Sequence, residues 1–425
     1  MPRLRAAALL TSAPWTPAGQ RLPALPAFAL LIPFLLTGCG TADDPDGSPT
    51  LESWSLEEVV RIGSLDDPDL SLTFIGGVTV GPDGRVYVGQ SMDQQVRIFD
   101  REGRPAGAFG RRGGGPGEFE RVGGLAWRGD TLWVSDSGQR RFNLFTPDGD
   151  LLGTVSPPPP VPTEANPRPP SPTSLLPDGT FMGSAGLPSH LITSGEITTR
   201  EYVRLDRDGR ILDTLAVVPL GNGQLSISYG NGMMFSGQPF GDAPLTSVHP
   251  DTALLVLDRS VRSGEAPTFT LAKIRFGGDT LWRRSYPYEP VPLTSAEADS
   301  TAAAWVERLK DSRMVADMGQ VRAQRLYREA LYVPPHRPPV RGITVGRDGT
   351  IWLLLTDADP DTARRMVLDR DGEPVADVRM PAGTNPRYID GDEVWASETD
   401  ELDVPYLVRY RIVREAEVAG AGASR

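Results

Sequence analysis

Three histidines, His190, His249 and His336, are the only imidazoles in the 425-residue chain. Three imidazoles converging on one ion could hold a catalytic zinc with an open fourth position. His249 falls in a hairpin turn, whereas His190 and His336 fall in long connections on the opposite face. The three are therefore not expected to meet. Asp357-Ala-Asp-Pro-Asp361 has part of a calcium-loop spacing but lacks the turn glycine and the closing glutamate, so it reads as a solvated loop. No Gly-x-Ser-x-Gly elbow and no His-Glu-x-x-His helix occurs. Lys273 and Lys310 are the only lysines, and neither belongs to a Walker loop. Gly113-Gly-Gly-Pro-Gly117 leads into a strand, which leaves no helix N-terminus to receive a phosphate. One constellation remains. Arg121, Arg341 and Arg387 each lie near the start of an inner strand, and with Asp93 and Asp136 they make the candidate ligand-binding set. Guanidinium forks suit a carboxylate or an acidic partner segment. The competing and preferred reading pairs these arginines with Asp93, Asp136 and Glu398 in neighbouring loops. No catalytic residue, metal ligand or cofactor is assigned, although a divalent metal in a central channel stays open.

The composition narrows the classes. A formal charge of −12 argues against nucleic acid, which asks for a basic surface. A single cysteine excludes a disulfide framework and any multi-cysteine metal site. With 39% apolar residues there is ample material for a large core, and 46 Gly and 41 Pro point to many turns.

The one cysteine carries an address. Arg3 and Arg5 precede an apolar run from Pro26 to Leu36 that is too short to span a bilayer. The run ends in Leu36-Thr-Gly-Cys39, which resembles a bacterial lipobox. That resemblance implies cleavage before Cys39 and lipidation of its sulfur, with two or three acyl chains as a stable membrane anchor. Residues 1–38 are then a signal peptide and residues 39–51 a flexible tether. Gly40 stands where a retention aspartate would stand, which points to the outer membrane. Residues 415–425 read as a disordered tail.

A repeat organises the rest. Gly77-Val-Thr-Val-Gly-Pro-Asp-Gly-Arg-Val-Tyr-Val88 is echoed by Gly342-Ile-Thr-Val-Gly-Arg-Asp-Gly-Thr-Ile-Trp-Leu353. Weaker copies start near Leu125, Ser174, Ser247 and Tyr388. Each is a β-rich run, a tight Asp/Gly/Pro turn and a second β-rich run, which is a hairpin signature. A second hairpin follows in most copies, as in Val96–Arg104 and Met366–Glu373. Tyr87, Trp133, Phe181, Leu255, Trp352 and Trp395 share one position of the second strand and are expected to pack between adjacent sheets. Four-stranded units with a period of about 45 residues mean an all-β propeller. The expected architecture is six four-stranded blades over residues 52–414, with Glu58–Gly63 supplying the last blade's outer strand and closing the ring.

Gly110-Arg-Arg-Gly-Gly-Gly-Pro-Gly-Glu-Phe119, followed by Val134-Ser-Asp-Ser-Gly-Gln-Arg-Arg-Phe-Asn-Leu-Phe145, resembles an NHL-type repeat. More broadly, residues 52–414 resemble the six-bladed propeller lipoproteins of bacteria, a group of largely unassigned function. Related propellers include peptidyl-hydroxyglycine amidating lyases, whose zinc-binding histidines lie in the channel, and the separated histidines here speak against that activity. Lactonase-like propellers hold a divalent metal with Glu, Asn and Asp, and the asparagines here do not fall at comparable positions.

All long insertions belong to one face: Ser156–Pro172, Gly183–Arg200, Leu220–Pro244 and Pro292–Pro339. The last, residues 292–339, falls between the fourth and fifth units and carries the helical pattern. A capping box at Thr294-Ser-Ala-Glu297 starts one helix, and a second is expected over Gly319–Leu331. These features point to a membrane-anchored extracytoplasmic binding or scaffold propeller whose loop-rich face meets a protein, peptide or glycan partner. The alternative is a metal-dependent lyase or hydrolase with its site in the channel.

Overall fold

The computed structural model describes residues 51–157, 169–230, 232–261, 264 and 266–414. The signal peptide, Cys39, most of the tether, the tail and residues 158–168 lie outside the described residues.

Each repeat folds as read: a strand, a tight turn and a second strand in antiparallel register. The first sheet runs β2 (Ile75–Val80), β3 (Val86–Gln90), β4 (Gln95–Phe99) and β5 (Pro105–Phe109) in simple meander order. The second runs β6 (Val122–Arg128), β7 (Thr131–Asp136), β8 (Arg141–Phe145) and β9 (Leu151–Val155). The third contains β10 (Ser171–Leu175), β11 (Phe181–Ser184), β12 (Thr199–Leu205) and β13 (Ile211–Pro219). The fourth contains β16 (Leu245–His249), β17 (Ala253–Asp258), β18 (Thr268–Arg275) and β19 (Thr280–Pro287). First strands of successive sheets are neighbours, β2 beside β6 and β16 beside β20 (Val340–Val345). This is a β-propeller.

The turns explain the Asp-Gly signature. Gly84 and Gly349 sit at φ +80° and +87°, a left-handed conformation that a Cβ disfavours. The preceding aspartate folds back onto the turn, as Asp348 Oδ1 accepts the Thr350 amide at 2.9 Å. In the degenerate fourth copy, Thr252 occupies the glycine position at φ +53°.

The expected count of six separate blades is corrected. Four sheets stand as separate four-stranded blades. Apart from one two-stranded hairpin, the remaining strands form one eight-stranded sheet, ordered β20, β21 (Ile351–Leu355), β22 (Thr362–Leu368), β23 (Pro374–Pro381), β1 (Glu52–Ile62), β26 (Pro405–Arg414), β25 (Glu393–Thr399) and β24 (Asn385–Asp390). The cause is the length of β1. Its stretch from Trp54 to Ile62 pairs antiparallel with β26, which ties the two ends of the propeller together. Its first three residues go further and pair parallel with Ala376, Asp377 and Val378 of β23. One strand thus serves two edges, and no free edge separates the two halves.

The shared second-strand position is a seam between sheets. Tyr87 packs edge-on against Trp127 of the second sheet, with ring centroids 5.0 Å apart. Trp133 joins Phe142 and Phe181 between the second and third sheets. Trp395 is wholly buried among Ile62, Leu72, Ile75 and Phe99.

Because the strands alternate in direction, first-to-second and third-to-fourth connections open on one face, the turn face. Second-to-third and sheet-to-sheet connections open on the other, the loop face. The loop face carries α1 (Ser189–Thr193), the hairpin β14 (Gln224–Tyr229) and β15 (Gly232–Gly237), and α2 (Ser295–Arg308), α3 (Arg313–Met318) and α4 (Gln320–Ala330). The single second helix expected over Gly319–Leu331 begins one residue later, and α3 precedes it.

Candidate functional site

The candidate set proves to be two different things. Asp136 is fully buried. Its carboxylate accepts the backbone amides of Glu120 at 3.2 Å and Arg121 at 3.0 Å, so it meets Arg121 only through the main chain. Its charge partner is Arg141, 3.5 Å away. Arg141 also donates to the carbonyls of Gly114, Gly115 and Glu118, and Glu118 accepts the Gly115 amide at 2.8 Å. The glycine-rich stretch is therefore held open as a loop by Asp136 and Arg141. In the first sheet Gln90 performs the same task, with Oε1 accepting from the amides of Thr73 and Phe74. Asp93 accepts from the Thr73 hydroxyl at 2.8 Å. Glu398 pairs with Arg61 at 3.0 Å and accepts from the Thr384 and Tyr410 hydroxyls. None of the three acids forms an ion pair with Arg121, Arg341 or Arg387, so the preferred pairing is corrected. The acids serve turns and strand starts instead.

Arg341 and Arg387 share a structural position. In the first, second and third sheets and in both halves of the eight-stranded sheet, the innermost strand pair shifts register near its start. Arg341 and Arg387 sit at that bulge, where the first two sheets have glycines and the third has Thr173. A bulge re-aims the side chain it carries. Arg387 Nε donates to the Ser397 hydroxyl at 2.8 Å, and burial lowers its pKa. Arg341 is exposed but lies close to Arg365, which is 3% exposed. Arg365 donates to the carbonyls of Ala363 and Thr384 and touches the Met380 sulfur. Burial first, then the charge of Arg341, pulls the Arg365 pKa down to about 10. Arg365 and Arg387 are thus held by carbonyls, a thioether and a hydroxyl, with no carboxylate among the described residues bonded to either. Arg121 stands elsewhere, exposed just before β6, at the place Phe74 occupies before β2.

His249 is buried at the end of β16 on the turn face. Its Nδ1 accepts the Asp251 amide at 3.1 Å, and Nε2 lies 3.0 Å from the Gly349 carbonyl, an arrangement that requires the proton on Nε2. Burial lowers its pKa and keeps it neutral. Lys273 completes the seam, with Nζ 2.7 Å from Asp251 and 3.0 Å from the Arg370 carbonyl. His190 lies in α1 and His336 in the connection leading to β20, both on the loop face. Among the described residues no group of three His, Cys, Asp or Glu could hold a metal ion. Asp357–Asp361 closes on itself through aspartate-to-amide bonds.

The loop face is the more elaborate surface. Helices α2 to α4 and the β14–β15 hairpin share their own core, which contains Leu225, Ile227, Phe240, Leu293, Trp305, Val315 and Tyr327. Trp305 and Tyr327 stack with centroids 4.0 Å apart. The capping box forms as read, with the Thr294 hydroxyl accepting the Glu297 amide and the Glu297 carboxylate accepting the Thr294 amide. Gln238 locks the hairpin to the helices, donating to the Ala330 carbonyl and accepting the Tyr332 amide, each at 2.9 Å. Large exposed apolar side chains, among the described residues, fall into two groups. Those of β1, β9, β13 and β19 lie on outermost strands. Leu65, Phe74, Met92, Met233, Phe235, Val321 and Leu402 lie on the loop face, with Val321 86% and Leu402 75% exposed. Of the first group, Leu151, Leu152, Ile211, Leu212 and Leu281 stand at the starts of β9, β13 and β19, next to turns of the turn face. Sequence reading located the insertions, but the exposed side chains emerge only once strand directions are known.

No family model and no curated protein sequence matches this chain. Among solved structures, the chain is similar to a member of the DUF4221 family from Bacteroides vulgatus, at TM-score 0.45 and 11% identity, covering 86% of this chain and 100% of that one. It is also similar to virginiamycin B lyase from Staphylococcus aureus, at TM-score 0.40 and 14% identity, covering 85% and 100%. The PQQ-bound aldose sugar dehydrogenase of Streptomyces coelicolor aligns at TM-score 0.41 and 12% identity, covering 85% and 99%. Likenesses at this level carry no argument, and the fold assignment rests on the strand order above.

Proposed function

We propose that this protein is a lipid-anchored binding propeller of the bacterial cell envelope, held by Cys39 at the outer membrane, that presents its loop face to a protein, peptide or glycan partner. The observation that carries the reading is that every inserted element falls on the loop face, with exposed apolar side chains on and beside those elements. Water-facing Phe74, Met92, Met233, Phe235, Val321 and Leu402 gather on the face that also carries every inserted element. Solitary exposed apolar groups need no explanation, but a set of them on elaborated loops is the usual mark of an interaction surface. An acidic chain of this kind is unsuited to nucleic acid.

The test is substitution without deletion. Removing residues 295–331 would bare Leu225, Ile227 and Phe240 and confuse binding with folding. Met233→Ser with Phe235→Ser, and separately Phe74→Ser with Met92→Ser, leave that core intact. In cross-linking from intact envelopes, the expected outcome is loss of the same adduct in one or both pairs, with unchanged thermal unfolding. An adduct pattern indifferent to both pairs would contradict the reading. The anchor is tested separately: Cys39→Ser is expected to move the protein from the membrane to the soluble fraction.

A further inference from the structure

We propose that a cavity of about 180 Å³ between the third sheet and the β14–β15 hairpin binds a carboxylate carried on a short branched apolar group. Strand β12 places Arg200 and Tyr202 two residues apart, so both point to the same side of the sheet, opposite Val218 and Ala216 of β13. Both side chains line the cavity, and Ile192, Val218, Leu220 and Pro244 supply apolar wall. The cavity exists because the insertions meet there: α1 closes one side and the segment leading to β14 closes another.

Arg200 is the reason to expect an anion. Its Nε is buried and makes no hydrogen bond. No acid among the described residues pairs with it. Glu201 points to the other side of the strand, where it accepts from the Thr214 hydroxyl. Asp242 is occupied by the amide and side chain of Asn222 and by the Tyr332 hydroxyl. Arg204, further along the same strand face, shows the contrast: it bonds both Asp178 and Asp213. Arg200 is half-buried, with its Nε withdrawn from water and unpaired, an arrangement that a ligand carboxylate would complete. Tyr202 adds a second donor, because its oxygen accepts from the Thr246 hydroxyl at 3.4 Å and its own proton remains available. Together the two side chains offer a forked cation and a hydroxyl to one carboxylate.

Size sets the rest of the ligand. Cavities of about 150 Å³ hold a molecule the size of benzene, so four or five carbons fit beside the carboxylate. Such a group has two sources, a free short-chain acid or the C-terminal leucine or valine of a peptide. This site is independent of the docking surface proposed above, and failure of one reading leaves the other standing.

The experiment is calorimetric titration of the full chain with sodium isovalerate, with isovaleramide as the uncharged isostere. A ligand of so few atoms is expected to bind with a Kd on the order of 1 mM. Isovaleramide should bind at least about tenfold more weakly, a comparison that needs no variant. Arg200→Met should lose binding by a similar factor, Arg200→Lys by less, and Tyr202→Phe by a few-fold, with thermal unfolding measured for each. N-acetyl-Gly-Leu with a free or amidated terminus separates the sources. Tighter binding of the free peptide acid than of isovalerate supports a chain terminus, and weaker binding supports a free acid. Absence of heat with both acids, equal binding of the amide, or undiminished binding by a folded Arg200→Met would overturn the proposal.

Discussion

On the turn face, Arg85 of the first sheet reaches Asp148 of the second at 2.9 Å, and the Tyr87 hydroxyl reaches the Pro147 carbonyl. Lys273 and His249 of the fourth sheet meet the Arg370 and Gly349 carbonyls of the eight-stranded sheet, and the Tyr286 hydroxyl meets the Gly372 carbonyl at 2.7 Å. Arg101 of the first sheet pairs with Glu393 of the eight-stranded sheet across the seam that closes the ring. Its connections are short, polar and spent on joining sheet to sheet. The loop face uses the same alternation of strands, yet its connections are long, carry a core of their own and leave apolar side chains in water. The contrast teaches that side-chain ties between sheets gather on the turn face, while the loop face, where Arg259 reaches the Val340 carbonyl at 2.9 Å, also carries every insertion.

The largest test of that separation compares two tryptophans. Trp395, wholly buried between sheets, should cost about 3–5 kcal/mol on replacement by alanine and lower the main unfolding transition. Trp305→Ala should cost a similar amount but confine the damage to α2 to α4 and the hairpin, read as lost amide protection there and retained protection in the strands. A uniform loss in both variants would break the comparison.

A smaller effect probes the turn face. Asp251→Ala leaves the 3%-exposed Lys273 ammonium without its carboxylate and should cost about 2–3 kcal/mol in urea unfolding, moderated because Asp251 itself still meets solvent. The loop face has its own acid-sensitive element. Glu297 is held down to about 2 from an ordinary 4.5, first by the Thr294 amide, then by Arg337 and the Thr294 hydroxyl. Its folded pKa is depressed, so its contribution is complete above pH 4.5 and is lost as pH falls towards 2. Trp305 fluorescence should report loosening in that window, and Glu297→Gln should flatten it at a cost under about 1 kcal/mol, since the pair is solvent-screened. The smallest change is a gain. Thr252→Gly relieves a left-handed threonine and should stabilise by about 0.5 kcal/mol, measured by thermal unfolding.

Much of the blade architecture was legible because period-two alternation and Asp-Gly turns are local signals. The seam aromatics, from Tyr87 to Trp395, were legible for the same reason. The joining of two units into one eight-stranded sheet was not, because the parallel pairing of Glu52–Trp54 with β23 is a choice of edge that alternation does not encode. The candidate arginines were located at strand starts, but their partners were misjudged. Asp136 answers backbone amides and Arg141, contacts that depend on how the glycine loop folds back. Arg200 and Tyr202 were invisible as a pair, since their cavity forms only where α1 and the hairpin meet the third sheet.

The central claim is that binding belongs to the loop face. The most direct measurement is quantitative cross-linking from intact envelopes with two matched variants, Met233→Ser with Phe235→Ser on the loop face and Arg85→Gln with Asp148→Asn on the turn face. The account predicts that the loop-face pair reduces the specific adduct at least about tenfold while the turn-face pair leaves it unchanged in the folded protein. Loss of the adduct in the turn-face pair alone would contradict it.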